Sequence, residues 1–237
     1  MNETVTLIIL DRNSYQEHDA LLTCFIKGIG VTTLIAKGAN KPTSKYGSLL
    51  QPTYVLQALI DLKKGISLFK SASLIKHYKQ LETTLAPLAV ASFICKVLAI
   101  NAMDDKYLVD FDTLDNYLSK LNEKNTYTLL THFLMMLAKK MGVAMYLDGC
   151  VICNEQKIVA VSSEVGGFLC QQHAHLATLE HQQVNFYRQL RCLDKATLDQ
   201  VDLCPYATTT QHVQLYMDLL DETCTIPWKN WQFIQQI

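Results

Sequence analysis

The strongest constraint on the fold is a set of four metal-ligand side chains at fixed spacing. Cys150 and Cys153 form a C-x2-C pair, and after a loop of sixteen residues Cys170 and His173 form C-x2-H. Two residues between ligands let both side chains of one turn face a single ion, and two such turns complete a tetrahedral zinc site. The spacing therefore predicts a structural Zn²⁺ ion. His175 is an alternative fourth ligand, and buried or incidental thiols are the alternative to a metal site.

A site with four protein ligands has no open coordination position, so its ion can stabilise a fold but cannot activate water. The sequence contains no H-E-x-x-H, no G-x-S-x-G and no Walker A loop, and no H-x-E precedes the C-x2-C pair. Gly28-x-Gly30 is not a dinucleotide fingerprint, because Thr33 occupies the third glycine position. These features predict a protein that is not an enzyme. A hydrolase with an unrecognised site is the remaining alternative.

The composition is typical of a globular protein with a substantial core. The chain has 237 residues, of which 49% are hydrophobic, and contains eight cysteines. Its first residues include Glu3 and Asp11 but no basic segment, which together with the thiols predicts a reducing, cytoplasmic location. The longest apolar stretch, 85–100, is interrupted by Ser92 and Lys96 and is too short to span a bilayer.

Charge is distributed unevenly along the chain. Residues 1–80 hold ten Lys and Arg against five Asp and Glu, a net charge of +5, whereas residues 81–237 hold eleven against seventeen. A basic surface attracts nucleic acid by neutralising phosphates and releasing counterions. The first 80 residues are therefore the candidate nucleic-acid-binding part, and an ordinary solvated lysine surface is the alternative.

Five segments of residues 1–80 have the composition and the turn boundaries of β-strands. The expected strands are 4–10, 21–27, 31–37, 53–62 and 66–75. Five strands with basic loops are typical of an oligonucleotide-binding (OB) barrel, and an SH3-like barrel is the alternative. We therefore predict an OB-like domain over residues 1–80.

The loop between the third and fourth strands, residues 37–47, is the main candidate for contact with a polyanion. It has three lysines, one tyrosine and almost no apolar content. Cations can follow a phosphate backbone, and an aromatic ring can stack on a base. The predicted DNA-binding residues are Lys37, Lys41, Lys45 and Tyr46, flanked by Arg12, Lys63 and Lys64. For each of these, a solvated surface side chain is the alternative.

After residue 80 the pattern changes to helical periodicity. Helices are expected over 85–100, 110–121, 126–141, 182–193 and 208–220. Gly142 stands where the third helix should end. The prediction is an α+β fold in which an OB-like barrel precedes a helical domain over residues 81–237, with a zinc-finger-like module inserted at 148–175.

Several short motifs, in this order and spacing, resemble the RecO family of bacterial recombination mediators over about residues 5–175. They are Tyr15-x-Glu17-x-Asp19, Ala36-Lys37-Gly38-Ala39, Leu50-Gln51-Pro52, Asp148-Gly149-Cys150-x2-Cys153 and Gly166-Gly167-x2-Cys170. The chain departs from the family pattern at three places. It has His173 where zinc-binding members usually have cysteine, and its Ala39-Asn40-Lys41 is less basic than the family's segment. Its carboxyl terminus has two tryptophans rather than many basic residues.

The resemblance implies a nucleoid-associated protein that binds single- and double-stranded DNA and anneals complementary strands. It implies cooperation with RecR in loading RecA onto DNA coated by single-strand-binding protein (SSB). It also implies that the acidic SSB carboxyl-terminal tail binds the helical domain, where His132, Phe133 and Lys139 are the predicted contacts. Tail binding is then expected to strengthen as pH falls toward about 6 and histidine gains its proton. The alternative function is that of a protein-interaction scaffold that is stabilised by zinc and does not bind DNA directly.

Overall fold

The computed structural model describes residues 2–63, 65–102, 109–180 and 182–237. The chain divides into two compact units. The first comprises Met1–Glu123 with Lys229–Ile237, and the second comprises Lys124–Trp228. The domain boundary predicted at residue 80 stays a prediction. Within the described ranges, every helix is too short or too polar to cross a lipid bilayer.

The first unit contains a closed barrel of five strands. They are β1 (Asn2–Tyr15), β2 (Asp19–Ile26), β3 (Gly30–Ala36), β4 (Val55–Asp61) and β5 (Ser67–Lys76). Their order is β1-β2-β3-β5-β4, and β4 pairs back onto β1. All neighbours are antiparallel except β3 and β5, which pair in parallel. This is the closure of an OB-like barrel, so the predicted fold class is confirmed.

Alternating side chains fill the barrel, as strands with one buried face require. On β2, for example, the core residues are Ala20, Leu22, Cys24 and Ile26. The first strand is the longest because its first half pairs with β4 and its second half with β2. A register shift between Ile9 and Asp11 accompanies this change of partner, as in a β-bulge. The sequence-based strand stops at residue 10 because residues 11–15 are mostly polar.

Six α-helices occur in the described residues. They are α1 (Leu85–Ile100), α2 (Phe111–Lys120), α3 (Thr126–Met141), α4 (Val184–Lys195), α5 (Thr210–Leu220) and α6 (Trp228–Ile234). The bounds of α1 and α3 are those predicted, whereas α4 and α5 begin two residues later than predicted. The short α6 was not predicted; its Trp231 and Ile234 are buried. In the first unit, α1 packs on β1, and Lys96 pairs with Asp11 at 2.6 Å.

The second unit combines α3, α4 and α5 with a small four-stranded sheet. Its strands are β6 (Tyr146–Cys150), β7 (Ile158–Ser162), β8 (Gly167–Cys170) and β9 (Leu179–Glu180), in the order β6-β8-β7-β9. A disulfide joins Cys192 on α4 to Cys204, which precedes α5. Two of the eight cysteines, treated as thiols in the sequence analysis, are therefore paired.

His212 holds the start of α5 in place through both ring nitrogens. Its Nδ1 accepts a hydrogen bond from the Thr209 backbone N–H at 3.0 Å, and its Nε2 lies 3.2 Å from the Phe186 carbonyl. This arrangement requires a neutral ring with the proton on Nε2. Burial lowers the pKa of His212 to about 4, although the Phe186 carbonyl opposes that shift.

We expect acid to destabilise this protein through His212. In the unfolded chain His212 takes up a proton near pH 6.5, whereas in the folded protein it does so only near pH 4. The contribution of neutral His212 to the free energy of unfolding is therefore complete above about pH 6.5. That contribution is lost as pH falls from about 6.5 to about 4 and amounts to about 3 kcal/mol. Urea unfolding at several pH values should show a shallower pH dependence for His212→Gln than for wild type. Equal slopes would contradict this assignment.

Candidate metal centre and nucleic-acid interface

The four predicted metal ligands lie together in the second unit. The donor atoms of Cys150, Cys153, Cys170 and His173 are all within 4.8 Å of one another. Nδ1 of His173 is 3.5 Å from the Cys150 sulfur and 3.4 Å from the Cys170 sulfur, and the Cys153 and Cys170 sulfurs are 3.6 Å apart. Sulfur and nitrogen ligands of one tetrahedral Zn²⁺ lie about 3.6 to 3.8 Å from each other. The spacing of the donors thus fits a zinc ion.

Two neighbouring parallel strands position these ligands. Strand β6 ends at Cys150 and strand β8 ends at Cys170, so each strand delivers the first ligand of one pair. After β6, a turn brings the Asn154 N–H to the Cys150 carbonyl at 2.8 Å, with Asn154 at a left-handed φ of 60°. The His173 N–H bonds the Cys170 carbonyl at 3.0 Å. His173 is therefore the candidate fourth ligand in this cluster, and the alternative His175 lies outside the set.

Cys150 is prepared for ligation by its surroundings. Burial raises the pKa of its thiol, but backbone N–H groups of Cys153, Cys170 and Ile152 donate to the sulfur and bring the pKa down to about 6. Metal ligation by cysteine requires the thiolate, which these donors favour. The surroundings of this sulfur thus favour the form that binds metal.

Arg191 on α4 anchors the strands and turns of residues 146–180, here called the metal-ligand module, and it was not among the residues predicted from the sequence. Its Nε donates to the Leu147 carbonyl at 2.7 Å and one terminal nitrogen donates to the Asp148 carbonyl at 3.2 Å. The guanidinium also lies 5.2 Å from the centre of the Phe168 ring. An arginine with five donors suits such a role. Nothing in the local sequence signals a partner more than 40 residues away.

The loop after β3 is held by side chains of the barrel. Arg12 donates to the carbonyls of Gly47 at 2.7 Å and Leu50 at 3.1 Å, and to the Asn40 side-chain oxygen at 2.8 Å. The Asp19 carboxylate accepts the Gly38 N–H at 2.7 Å. The guanidinium of Arg12 is thus engaged in bracing the loop. Its predicted phosphate contact stays a prediction.

The three loop lysines are exposed. Lys45 lies 4.9 Å over the ring of Tyr46, and within the described ranges Lys37, Lys41 and Lys45 take part in no ion pair. Three other lysines of the first unit pair with carboxylates: Lys27 with Asp112, Lys76 with Asp115 and Lys96 with Asp11. The loop therefore presents positive charge that the described part of the protein does not compensate.

The other predicted DNA contacts differ in their surroundings. Tyr46 is partly buried against the barrel core, with its ring 5.3 Å from that of Phe69 in an edge-to-face arrangement. Lys63 lies 3.7 Å from Asp61, so part of its charge is compensated. Lys64 lies outside the described residues. The DNA-binding roles of these residues stay predictions.

Comparison with known proteins agrees with this architecture. A family model described as Recombination protein O N terminal matches residues 1–78, and one described as Recombination protein O C terminal matches residues 82–212. The chain belongs to the RecO family. It is 29% identical over 181 residues to the DNA repair protein RecO of Bacillus cereus (strain AH187), which covers 73% of this chain and 71% of that protein. It is 29% identical over 201 residues to the DNA repair protein RecO of Clostridium perfringens (strain 13 / Type A), which covers 82% and 80%, respectively.

The motifs that suggested the RecO family have structural roles in this chain. Asp19 and Gly38 bond to each other at the base of the basic loop, and the Gln51 side chain donates to the Gly47 carbonyl at 3.0 Å. At the metal centre, a Cβ on Gly149 would lie 2.6 Å from the Asn154 side-chain oxygen. A Cβ on Gly167 would lie 2.6 Å from the Tyr146 carbonyl. Only glycine fits at position 167, where the clash is with backbone, whereas a Cβ at position 149 would require the Asn154 and Gln156 side chains to move.

The three residues predicted to bind the SSB tail already contact other residues of the helical part of this RecO protein. Phe133 is fully buried, and Lys139 pairs with Asp194 at 2.9 Å. Nε2 of His132 lies 3.1 Å from the Ala196 carbonyl, and burial lowers its pKa below the usual value. Burial therefore moves the protonation of His132 to a lower pH than the expected strengthening assumed. Tail binding by these residues stays a prediction that would require Phe133 to leave the core.

Proposed function

We propose that this RecO protein is a non-enzymatic recombination mediator that binds single- and double-stranded DNA through its amino-terminal barrel. The observation that carries the proposal is the braced loop with Lys37, Lys41 and Lys45 exposed and unpaired within the described ranges. A loop held by Arg12 and Asp19 presents its charges without a large ordering cost on binding. Phosphates are the natural counter-charge for such a surface.

Strand annealing follows from the same surface. A cationic loop lowers the repulsion between the phosphates of two strands, and this requires no cofactor and no covalent step. Tyr46 adds an aromatic ring for base stacking at the rim of the barrel. In this proposal Lys63, and Lys64 next to it in the sequence, are further phosphate contacts. The protein thus brings two complementary strands together and lets base pairing select the product.

The proposed partners are those of a RecO mediator. We propose that the protein acts with RecR and recognises the acidic SSB carboxyl-terminal tail. RecA is then loaded on the exposed single strand. In this scheme the metal centre is a structural zinc site in which Cys150, Cys153, Cys170 and His173 hold the ion. When bound, the ion would cross-link the two turns that carry its ligands, and it would take no part in catalysis.

Salt dependence tests the DNA-binding proposal. The fluorescence anisotropy of a labelled single strand should be measured against protein concentration at several salt concentrations. Three phosphate contacts should give a slope of log affinity against log salt of about −2 for single strands. An unrelated sequence of the same length should give nearly the same slope, because phosphate contacts do not read bases.

A flat salt dependence, or no binding at low salt, would overturn the proposal. The protein would then be better described as an interaction scaffold, for which the same barrel binds a peptide. A strong preference for one DNA sequence would also contradict binding through phosphates. Annealing is measured separately, from the pairing rate of two complementary labelled strands with and without protein.

A further inference from the structure

The four ligands of the metal centre are unequally shielded from solvent. Cys150 and Cys170 are 1% and 3% exposed, whereas the Cys153 side chain is exposed. Cys153 and Cys170 both line a surface cleft of about 480 Å³, and Cys150 does not. The other cleft residues are Glu155, Lys157, Gln171 and Gln172. A small solute can therefore reach the Cys153 sulfur directly from water.

We propose that Cys153 is a site of oxidation by hydroperoxides and that Cys170 is its resolving partner. The Cys153 thiolate attacks the terminal oxygen of the hydroperoxide, so an S–O bond forms and the O–O bond breaks. Hydroxide leaves from hydrogen peroxide, and an alkoxide leaves from an organic hydroperoxide. The Cys170 thiolate then attacks the sulfur of the sulfenic acid, so the S–S bond forms and hydroxide leaves. Two thiolates lose two electrons in total, and the peroxide gains them.

The geometry selects this pair among the three cysteines. The Cys153 and Cys170 sulfurs are 3.6 Å apart, which is about 1.5 Å longer than a disulfide bond. The turn that carries Cys153 lies at the surface, and residues 152–157 around it are exposed, so this side can move toward Cys170. Cys150 and Cys170 both belong to a small core with Ala160 and Leu169, but only Cys170 also lines the cleft. Cys170 is thus the resolving thiol that shares the cleft with Cys153.

Oxidation would release the metal. Only Cys150 and His173 would remain as ligands, and two ligands do not retain an ion that structural sites hold with four. The module would then lose the cross-link between its two turns. This inference rests on the proposed zinc site, which is tested separately by the metal content of the untreated protein.

The experiment exposes the zinc-loaded full chain to hydrogen peroxide. Released zinc is followed with a chromogenic chelator, and thiols are mapped by differential alkylation and mass spectrometry. We expect zinc release together with a Cys153–Cys170 disulfide. Cys24 and Cys95 serve as internal controls: both are fully buried, burial raises their thiol pKa, and they should stay reduced. A first bond between Cys150 and either other cysteine, or oxidation of Cys24, would overturn the assignment.

The variant Cys153→His provides a matched comparison, because histidine ligates zinc but cannot form the disulfide. Zinc release by peroxide should be at least about tenfold slower in Cys153→His than in wild type. An unchanged rate would contradict the proposal. If this variant does not bind zinc, the disulfide found by alkylation of the wild-type protein tests the proposal by itself. If wild type contains no zinc, the metal site fails, and the same map still reports whether Cys153 and Cys170 pair.

Discussion

Cys170→Ser is expected to abolish zinc binding and to unfold the metal-ligand module. A structural zinc ion contributes about 10 to 16 kcal/mol of apparent binding free energy in small zinc-finger peptides, and this is also folding free energy. The buried core around the ligands is small, and two of its five residues are ligands themselves. These residues are Cys150, Ala160, Leu169, Cys170 and Ala174. The apolar contacts left after metal loss cannot hold the module.

Elemental analysis of protein purified without chelator gives the metal content, with about one zinc per chain expected for wild type. Limited proteolysis between residues 146 and 180 and thermal unfolding then report the state of the module. Cys150→Ser should behave as Cys170→Ser does. A wild-type sample that is free of metal and fully folded would refute the zinc assignment.

His173→Ala and His175→Ala form a matched pair for the fourth ligand. Nδ1 of His173 lies 3.4 and 3.5 Å from two ligand sulfurs, whereas His175 is an exposed residue of the following 3-10 turn. We expect His173→Ala to weaken zinc retention against a chelator strongly and His175→Ala to leave it unchanged. The reverse result would restore His175 as the ligand.

Features that depend on neighbouring residues could be predicted from the sequence. The end of α3 is one, because Gly142 adopts a left-handed φ of 78° and closes the helix. The metal centre is another, because two short turns carry all four ligands and need only two neighbouring strands to meet. The five strands of the barrel follow from period-two burial and from glycine at the turns.

Features that depend on distant contacts could not be predicted. The bracing of the loop by Arg12 is one, because the carbonyls that it binds are 35 and 38 residues away. His132 was expected to titrate near pH 6, but its burial and its contact with Ala196 are tertiary features. The Cys192–Cys204 disulfide likewise requires α4 and the segment before α5 to meet. Each case concerns a partner that no local pattern identifies.

The combined change of Lys37, Lys41 and Lys45 to alanine is expected to weaken single-stranded DNA binding by about a hundredfold at about 0.1 M salt. Each phosphate contact adds about 0.7 to the log-log slope for single strands, so the slope should become shallower by about 2. None of the three lysines forms an ion pair in the described ranges, so their removal should leave the thermal stability of the barrel nearly unchanged.

A control variant distinguishes the location of the charges from their number. Lys79, Lys140 and Lys229 are also exposed and lie outside the 37–47 loop, and replacing them with alanine removes the same three charges. If DNA responded only to net charge, both triple variants would lose the same affinity. If DNA contacts the loop, only the variant of Lys37, Lys41 and Lys45 should lose much affinity. Equal losses would show that DNA responds to the overall charge of the protein, and an unchanged slope in the loop variant would place the DNA contact elsewhere. Because Arg12 braces the loop from the barrel, the loop variant should keep its fold, and its anisotropy curves can then be compared directly with those of wild type.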